Sequence, residues 1–188
     1  DMDGKIEMIL DGGSVGIGVE STIVDLSTGV PTILRPGYIN KAMLEEVVGQ
    51  VEVDPTLLSA DCKQRPKAPG MRYKHYAPKA QITILDADSR EFVEYVNHHR
   101  EEGLFALCFE EDLAGLQVPA ISLGADDEDQ ARRLFAALRE LDRRGAKKVY
   151  ARCPDKDGVG LAVYNRLIRA AAYHEQSVDD PKQERYDG

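Results

Sequence analysis

From Gln81 to Tyr173 the chain repeats one pattern, a short apolar run followed by a segment with helical spacing, and this constrains the fold more than any other feature. Residues 81–85, 104–109, 117–123 and 146–151 read as strands, and 88–100, 127–144 and 161–173 as helices. The helix over 88–100 turns Phe92 and Val96 inward. The helix over 127–144 is the clearest, with Ala131, Leu134, Phe135, Leu138 and Leu141 on one stripe, acids at its start and Arg143-Arg144 at its end, as the helix dipole favours. Strands alternating with helices require parallel pairing through crossover helices, so the pattern predicts a small open α/β layer of about 95 residues. The polar, aperiodic tail over 176–188 is expected to be loose.

The chain before Gln81 is of another kind. Residues 5–10 read as a strand in progress, and Asp11, Gly12, Gly13, Ser14, Gly16 and Gly18 form a turned connection. Strands over 21–26 and 31–35 follow, and then a helix capped by Asn40 with Met43, Leu44, Val47 and Val48 at helical spacing and Gly49 near its end. About three strands and one helix are too little to close a core unaided. The chain is therefore expected to begin inside a longer protein.

A strap over 66–78, Pro-Lys-Ala-Pro-Gly-Met-Arg-Tyr-Lys-His-Tyr-Ala-Pro, joins the two kinds of sequence. Its prolines and glycine exclude a helix interior and favour extended backbone. Lys63, Arg65, Lys67, Arg72, Lys74 and Lys79 bring six basic residues with no acid among them, and Tyr73, His75 and Tyr76 lie between the charges. Cations alternating with aromatic rings suit phosphates and a stacked base. The contrast with the flanking sequence is sharp, since residues 81–145 hold 15 acids against 7 basic residues.

With 188 residues, 43% hydrophobic and 30% charged, the composition is that of a soluble globular protein. A net charge of −9 argues against a surface that coats nucleic acid, and no stable nucleic-acid binding is expected. No apolar run reaches the roughly 18 residues of a membrane span, no basic-then-apolar leader opens the chain, and the reading is cytoplasmic. Cys62, Cys108 and Cys153 fit neither a disulfide set nor a metal motif and read as free thiols.

Several residues could carry chemistry. The loop over 11–20 lacks the Lys-Ser/Thr of a phosphate loop and the spacing of a dinucleotide turn, so by itself it reads as a turn. Residues 86–90 have acids and no glycine where a pyrophosphate would approach, so the second part carries no nucleotide fingerprint. Ser21 and Thr22 could offer hydroxyls to a ligand or satisfy nearby backbone groups. Arg35 closes an apolar strand ahead of Pro36-Gly37, and its fork suits a phosphate or carboxylate, or a structural ion pair. His75 reads as a strap residue that hydrogen-bonds, His98-His99 as surface, and 126–129 as a charge cluster at a helix start. No catalytic triad and no metal-ligand spacing stand out.

Four stretches together carry a resemblance: Gly18-Val19-Glu20-Ser21-Thr22-Ile23-Val24-Asp25-Leu26, Pro31-Thr32-Ile33-Leu34-Arg35-Pro36-Gly37, Ala68-Pro69-Gly70-Met71-Arg72-Tyr73-Lys74-His75-Tyr76-Ala77-Pro78, and Gly158-Val159-Gly160-Leu161-Ala162-Val163-Tyr164-Asn165-Arg166-Leu167. In order and spacing they resemble the two-domain L-threonylcarbamoyladenylate synthases. The resemblance implies an α/β fold in which 1–53 is the end of a YrdC-like catalytic domain, 54–80 a linker or lid, 81–175 a Rossmann-like domain and 176–188 a tail. It implies L-threonine, bicarbonate and ATP as substrates, Mg2+ with the ATP phosphates, and threonylcarbamoyl-AMP and pyrophosphate as products. The step belongs to the threonylcarbamoyladenosine modification of tRNA, with a tRNA-modifying transferase complex downstream as partner. By the same resemblance Ser21 contacts L-threonine, Arg35 and Tyr73 contact ATP, and Arg72 and His75 are lid neighbours. No residue is implied as a dedicated nucleophile.

The early basic motif and the Ser-Ala-Asn segment of that family have no match in these residues. The chain is thus expected to be the C-terminal part of such a synthase and inactive alone. A non-catalytic module that docks tRNA or a partner protein is the alternative reading.

Overall fold

The computed structural model describes residues 4–13, 15–57 and 77–178 and is mixed α/β with two sheets. The smaller sheet holds β1 (Ile23–Asp25), β2 (Thr32–Arg35) and β3 (Glu52–Val53) in that order, with α1 (Lys41–Val48) between β2 and β3. β1 runs antiparallel to β2 and β3 parallel to it, and a bulge interrupts the register between Ile23 and Val24. Its buried centre is small, formed by Ile33, Val51 and Leu57 with Val24, Leu44 and Val53 against them.

The larger sheet is built from β4 (Gln81–Asp86), α2 (Ser89–His98), β5 (Leu104–Cys108), β6 (Ala120–Ser122), α3 (Asp127–Arg143), β7 (Lys148–Arg152), α4 (Gly160–Ala170) and β8 (Glu175–Ser177). Its order is β6-β5-β7-β4-β8 and every pairing is parallel. Side chains alternate across it with period two. Ile82, Ile84, Phe105, Leu107, Val149 and Ala151 face α3 and α4. Leu85, Leu104, Ala106, Cys108 and Tyr150 face Phe92 and Val96 of α2.

The chain moves one way across the sheet from β4 to β5 and the other way from β6 through β7 to β8. Right-handed crossovers then place α2 on one face and α3 and α4 on the other. Helix starts are secured locally. Asp88 Oδ1 accepts from Glu91 N at 2.8 Å while Glu91 Oε2 accepts from Asp88 N at 3.0 Å, a full capping box. Asp126 Oδ1 accepts from Asp129 N at 2.8 Å, and Asn40 Oδ1 from Met43 N at 3.0 Å.

The structure departs from the sequence reading in three places. Residues 5–10 form no strand, because no strand edge among the described residues pairs with them, and Leu10 is 90% exposed. α1 forms where expected, with Leu44 alone of the four apolar positions packed on the small core and Val47 83% exposed. The last helix ends at Ala170 because Ala172 and Tyr173 take positive φ values of 50° and 64°. The tail begins with order, since β8 pairs with the open edge of β4. Its Glu-Gln-Ser sequence has no apolar alternation because an edge strand needs only backbone pairing.

None of the helices among the described residues is long and apolar enough to cross a membrane. Leu107 sits fully buried in β5, an interior strand of the larger sheet. Leu107→Ala is expected to lower unfolding free energy by about 2–5 kcal/mol with secondary structure retained, read by denaturant titration followed by circular dichroism.

Candidate substrate site

Ser21 and Arg35 meet at the end of the small sheet. Arg35 closes β2 opposite Ile23, and its Nε donates to Ser21 O at 2.9 Å while Nη2 lies 3.4 Å from Ser21 Oγ. The Pro36-Gly37 turn allows this because it lies directly on the backbone of residues 20–22 that leads into β1. A Cβ on Gly37 would sit 2.6 Å from both Glu20 O and Thr22 N, so any larger residue would push the turn off the Ser21 backbone. Thr22 is committed elsewhere, its Oγ1 donating to Ile39 O at 2.6 Å. Of the two hydroxyls considered from sequence, Ser21 faces the arginine and Thr22 serves the backbone.

Helix α4 completes the arrangement from the other sheet. Arg166 Nε donates to Glu20 Oε2 at 2.9 Å and its Nη1 to Pro36 O at 2.5 Å, across 146 and 130 residues of sequence. Beside it Asn165 Nδ2 donates to Leu57 O at 3.0 Å. The glycine loop also serves this junction. Gly18 has φ of 83° and presses on α3, where a Cβ would overlap the backbone of Ala131 and Arg132. Between the loop and α3 lies an open cavity of about 610 Å³ lined in part by Asp11, Glu20, Arg132, Phe135 and Arg139.

The electrostatics are those of a shared carboxylate. Burial would raise the Glu20 carboxyl, but Arg166, hydrogen bonds and Arg35 together hold it below its ordinary value. Arg166 is pulled below the usual arginine range by burial first, then by Arg35 and Arg169, against the opposing pull of Glu20. Two guanidiniums therefore flank one carboxylate next to Ser21, an arrangement that favours an anion there.

Of the other residues singled out from sequence, Arg72, Tyr73 and His75 lie outside the described residues, as does Cys62. Sequence reasoning missed Glu20, Asn165 and Arg166. The signal was present: Asn165 and Arg166 stand between Ala162-Val163 and Leu167-Ile168, in the apolar part of a helix that is buried nearly all round. A buried polar pair in such a run implies specific partners.

A second concavity of about 1010 Å³ opens at the carboxyl ends of β4 and β7, where the chain leaves for opposite faces of the sheet. Its cations are already engaged. Arg152 Nη1 bonds Asp112 Oδ1 at 2.7 Å, and Lys156 Nζ bridges Asp86 Oδ2 at 3.0 Å and Glu175 Oε1 at 2.7 Å. Tyr164 donates to Glu175 Oε2 at 2.6 Å. Asp86, Cys153 and Glu175 present ligand atoms within 4.8 Å of one another, but the Lys156 ammonium holds the two carboxylates and burial pushes the Cys153 thiol up to about 12.

Comparison with known proteins bears on the whole chain. The family model described as "Threonylcarbamoyl-AMP synthase, C-terminal domain" matches residues 39–172. A threonylcarbamoyl-AMP synthase of Pyrococcus abyssi is 37% identical over 182 residues, covering 92% of this chain and 52% of that protein. One of Bacillus subtilis is 36% identical over 176 residues, covering 91% of this chain and 50% of the relative. The crystal structure of Pyrococcus abyssi Sua5 complexed with L-threonine superposes with a TM-score of 0.79 at 35% identity, over 94% of this chain and 53% of that one. The chain thus spans about half the length of the curated relatives it matches.

The lowered Glu20 carboxyl gives the junction a pH dependence. A depressed carboxylate stabilises the fold above its ordinary value of 4.5, and that contribution drains away as pH falls through the lowered value. At pH 7 Glu20→Gln is expected to melt below the unsubstituted protein, and the gap is expected to narrow as pH falls below 4.5, followed by thermal melts across the range.

Proposed function

We propose, from the premise that the chain belongs to the threonylcarbamoyl-AMP synthase C-terminal domain family, that the natural protein carrying it is an L-threonylcarbamoyladenylate synthase. It converts L-threonine, bicarbonate and ATP into threonylcarbamoyl-AMP and pyrophosphate, a nucleotidyl transfer that opens the threonylcarbamoyladenosine modification of tRNA. The observation that carries this reading is the Ser21–Arg35 pair, a hydroxyl and a guanidinium fixed at one strand end with a second guanidinium behind them.

The chemistry asks for what that pair supplies. The threonine amine and bicarbonate form a carbamate with loss of water. A carbamate oxygen then attacks the α-phosphorus of ATP, and the bond to the bridging oxygen breaks as pyrophosphate leaves. Holding small anions and a nucleotide in register, with charge neutralised, accounts for the catalysis without a nucleophilic side chain. Ser21 orients L-threonine and Arg35 meets the phosphates, with Mg2+ arriving as part of the nucleotide. Tyr73 contacts the nucleotide, and Arg72 and His75 close over it from a linker across 54–80, which joins the end of a catalytic domain over 1–53 to a Rossmann-like domain over 81–175. The synthase acts in the cytoplasm and passes its product to the tRNA-modifying transferase.

Substitution tests this reading in the natural gene product. Arg35→Ala and Ser21→Ala are each expected to lower kcat/KM for pyrophosphate release at least about tenfold, because one charge-assisted hydrogen bond is worth about 1.5–3 kcal/mol. Unchanged synthesis accompanied by lost binding of tRNA or a protein would instead favour a non-catalytic docking module.

A further inference from the structure

We propose that Arg166, on a helix of the larger sheet, is the residue that positions the Ser21–Arg35 pair of the smaller one, and that this is a function of the second part of the chain. The proposal rests on the synthase reading for its kinetic consequence, though not for its geometry. The guanidinium binds Glu20, the residue immediately before Ser21, and Pro36, the residue immediately after Arg35. One rigid fork therefore brackets both members of the pair from outside.

The bracket is well suited to this role. Arg166 is 9% exposed and also lies 3.4 Å from Ala162 O of its own helix, so its rotamer is set by packing as well as by its partners. Flexible surface ion pairs fix little, whereas a buried fork with two polar partners on separate segments fixes their separation. Ser21 and Arg35 are tied to each other by the Arg35 bonds, but nothing in those bonds sets where the pair stands relative to the rest of the molecule. Arg166 supplies that reference, and Asn165 ties the next segment, ending at Leu57, to the same turn of α4. The helix is itself anchored over the large core through Val163, Tyr164, Leu167 and Ile168.

Arg166 is a positioning residue, since it touches Glu20 and Pro36 rather than the Ser21 hydroxyl. Lysine at this position keeps the charge but lacks a fork that reaches two acceptors. Glu20→Gln weakens the same bracket from the opposite end and leaves α4 intact.

The test uses the natural gene product with Arg166→Lys, Glu20→Gln and the double substitution, and an exposed change, Arg90→Ala, as control. Amide hydrogen exchange over 19–37 is expected to quicken at least about fivefold in both single variants and to remain unchanged in the control. In steady-state assays KM for L-threonine is expected to rise at least about fivefold in each single variant, with the double variant no worse than the poorer single one, as coupled partners require. Unchanged exchange over 19–37 in both folded single variants overturns the proposal whatever the activity. So does quickened exchange with unaltered kinetics, which would make the bracket structural only. Absence of threonine- and ATP-dependent pyrophosphate release in the unsubstituted protein overturns the synthase reading instead, and the exchange data still decide whether Arg166 sets the pair. Should Arg166→Lys fail to fold, Glu20→Gln alone decides it.

Discussion

A guanidinium taken out of water costs several kcal/mol unless good partners meet it, and Arg166 meets its partners only when the two sheets stand in one mutual arrangement. Apolar surfaces can slide over one another at small cost, but a buried fork cannot lose Glu20 without leaving a charge uncompensated. The pressed glycines make the same demand sterically. Gly18 admits α3 at backbone distance and Gly37 lays its turn on residues 20–22, ahead of β1, so the polar bonds form over a surface already shaped to fit.

The larger sheet supplies the rigidity on which that arrangement depends. Its five parallel strands are covered on both faces, and the alternation of side chains assigns each strand residue to one helix layer. Reversal of direction between β5 and β7 puts α2 alone on one face and leaves α3 and α4 together on the other, the face that meets the small sheet. The carboxyl-end cleft between β4 and β7 follows from the same reversal. Its lining differs from that of a phosphate site, for the cations there are consumed by Asp86, Asp112 and Glu175.

Much of this was legible in the sequence, and the boundary has physical causes. The α/β alternation after Gln81 was readable because buried strands and amphipathic helices both write their period into the apolar residues, as Leu134, Leu138 and Leu141 do for α3. β8 left no such trace, being an edge strand of polar residues joined by its backbone. In the first part, the apolar positions of α1 correctly marked a helix, and their periodicity reported that a face is apolar without saying what covers it. Arg35 could be singled out from its place at a strand end ahead of Pro36-Gly37, and Ser21 as a hydroxyl that opens a strand directly after the glycines. Their junction with Arg166 could not, since a contact spanning 146 residues leaves no local pattern, and only the misfit of two polar residues in an apolar helix pointed to it.

That separation governs the order of events in folding. Joining Glu20 to Arg166 closes a very long loop, whereas the helix caps and the β4–α2–β5 unit close short ones. Loop-closure entropy has to be met before a distant contact returns anything, so local closures are favoured ahead of the contact that fixes the Ser21–Arg35 pair against α4. A chain emerging residue by residue would hold both of these residues early and lack their reference until α4 has been made. The placing of the pair thus waits in synthesis for a helix whose Arg166 lies 130 residues beyond Pro36.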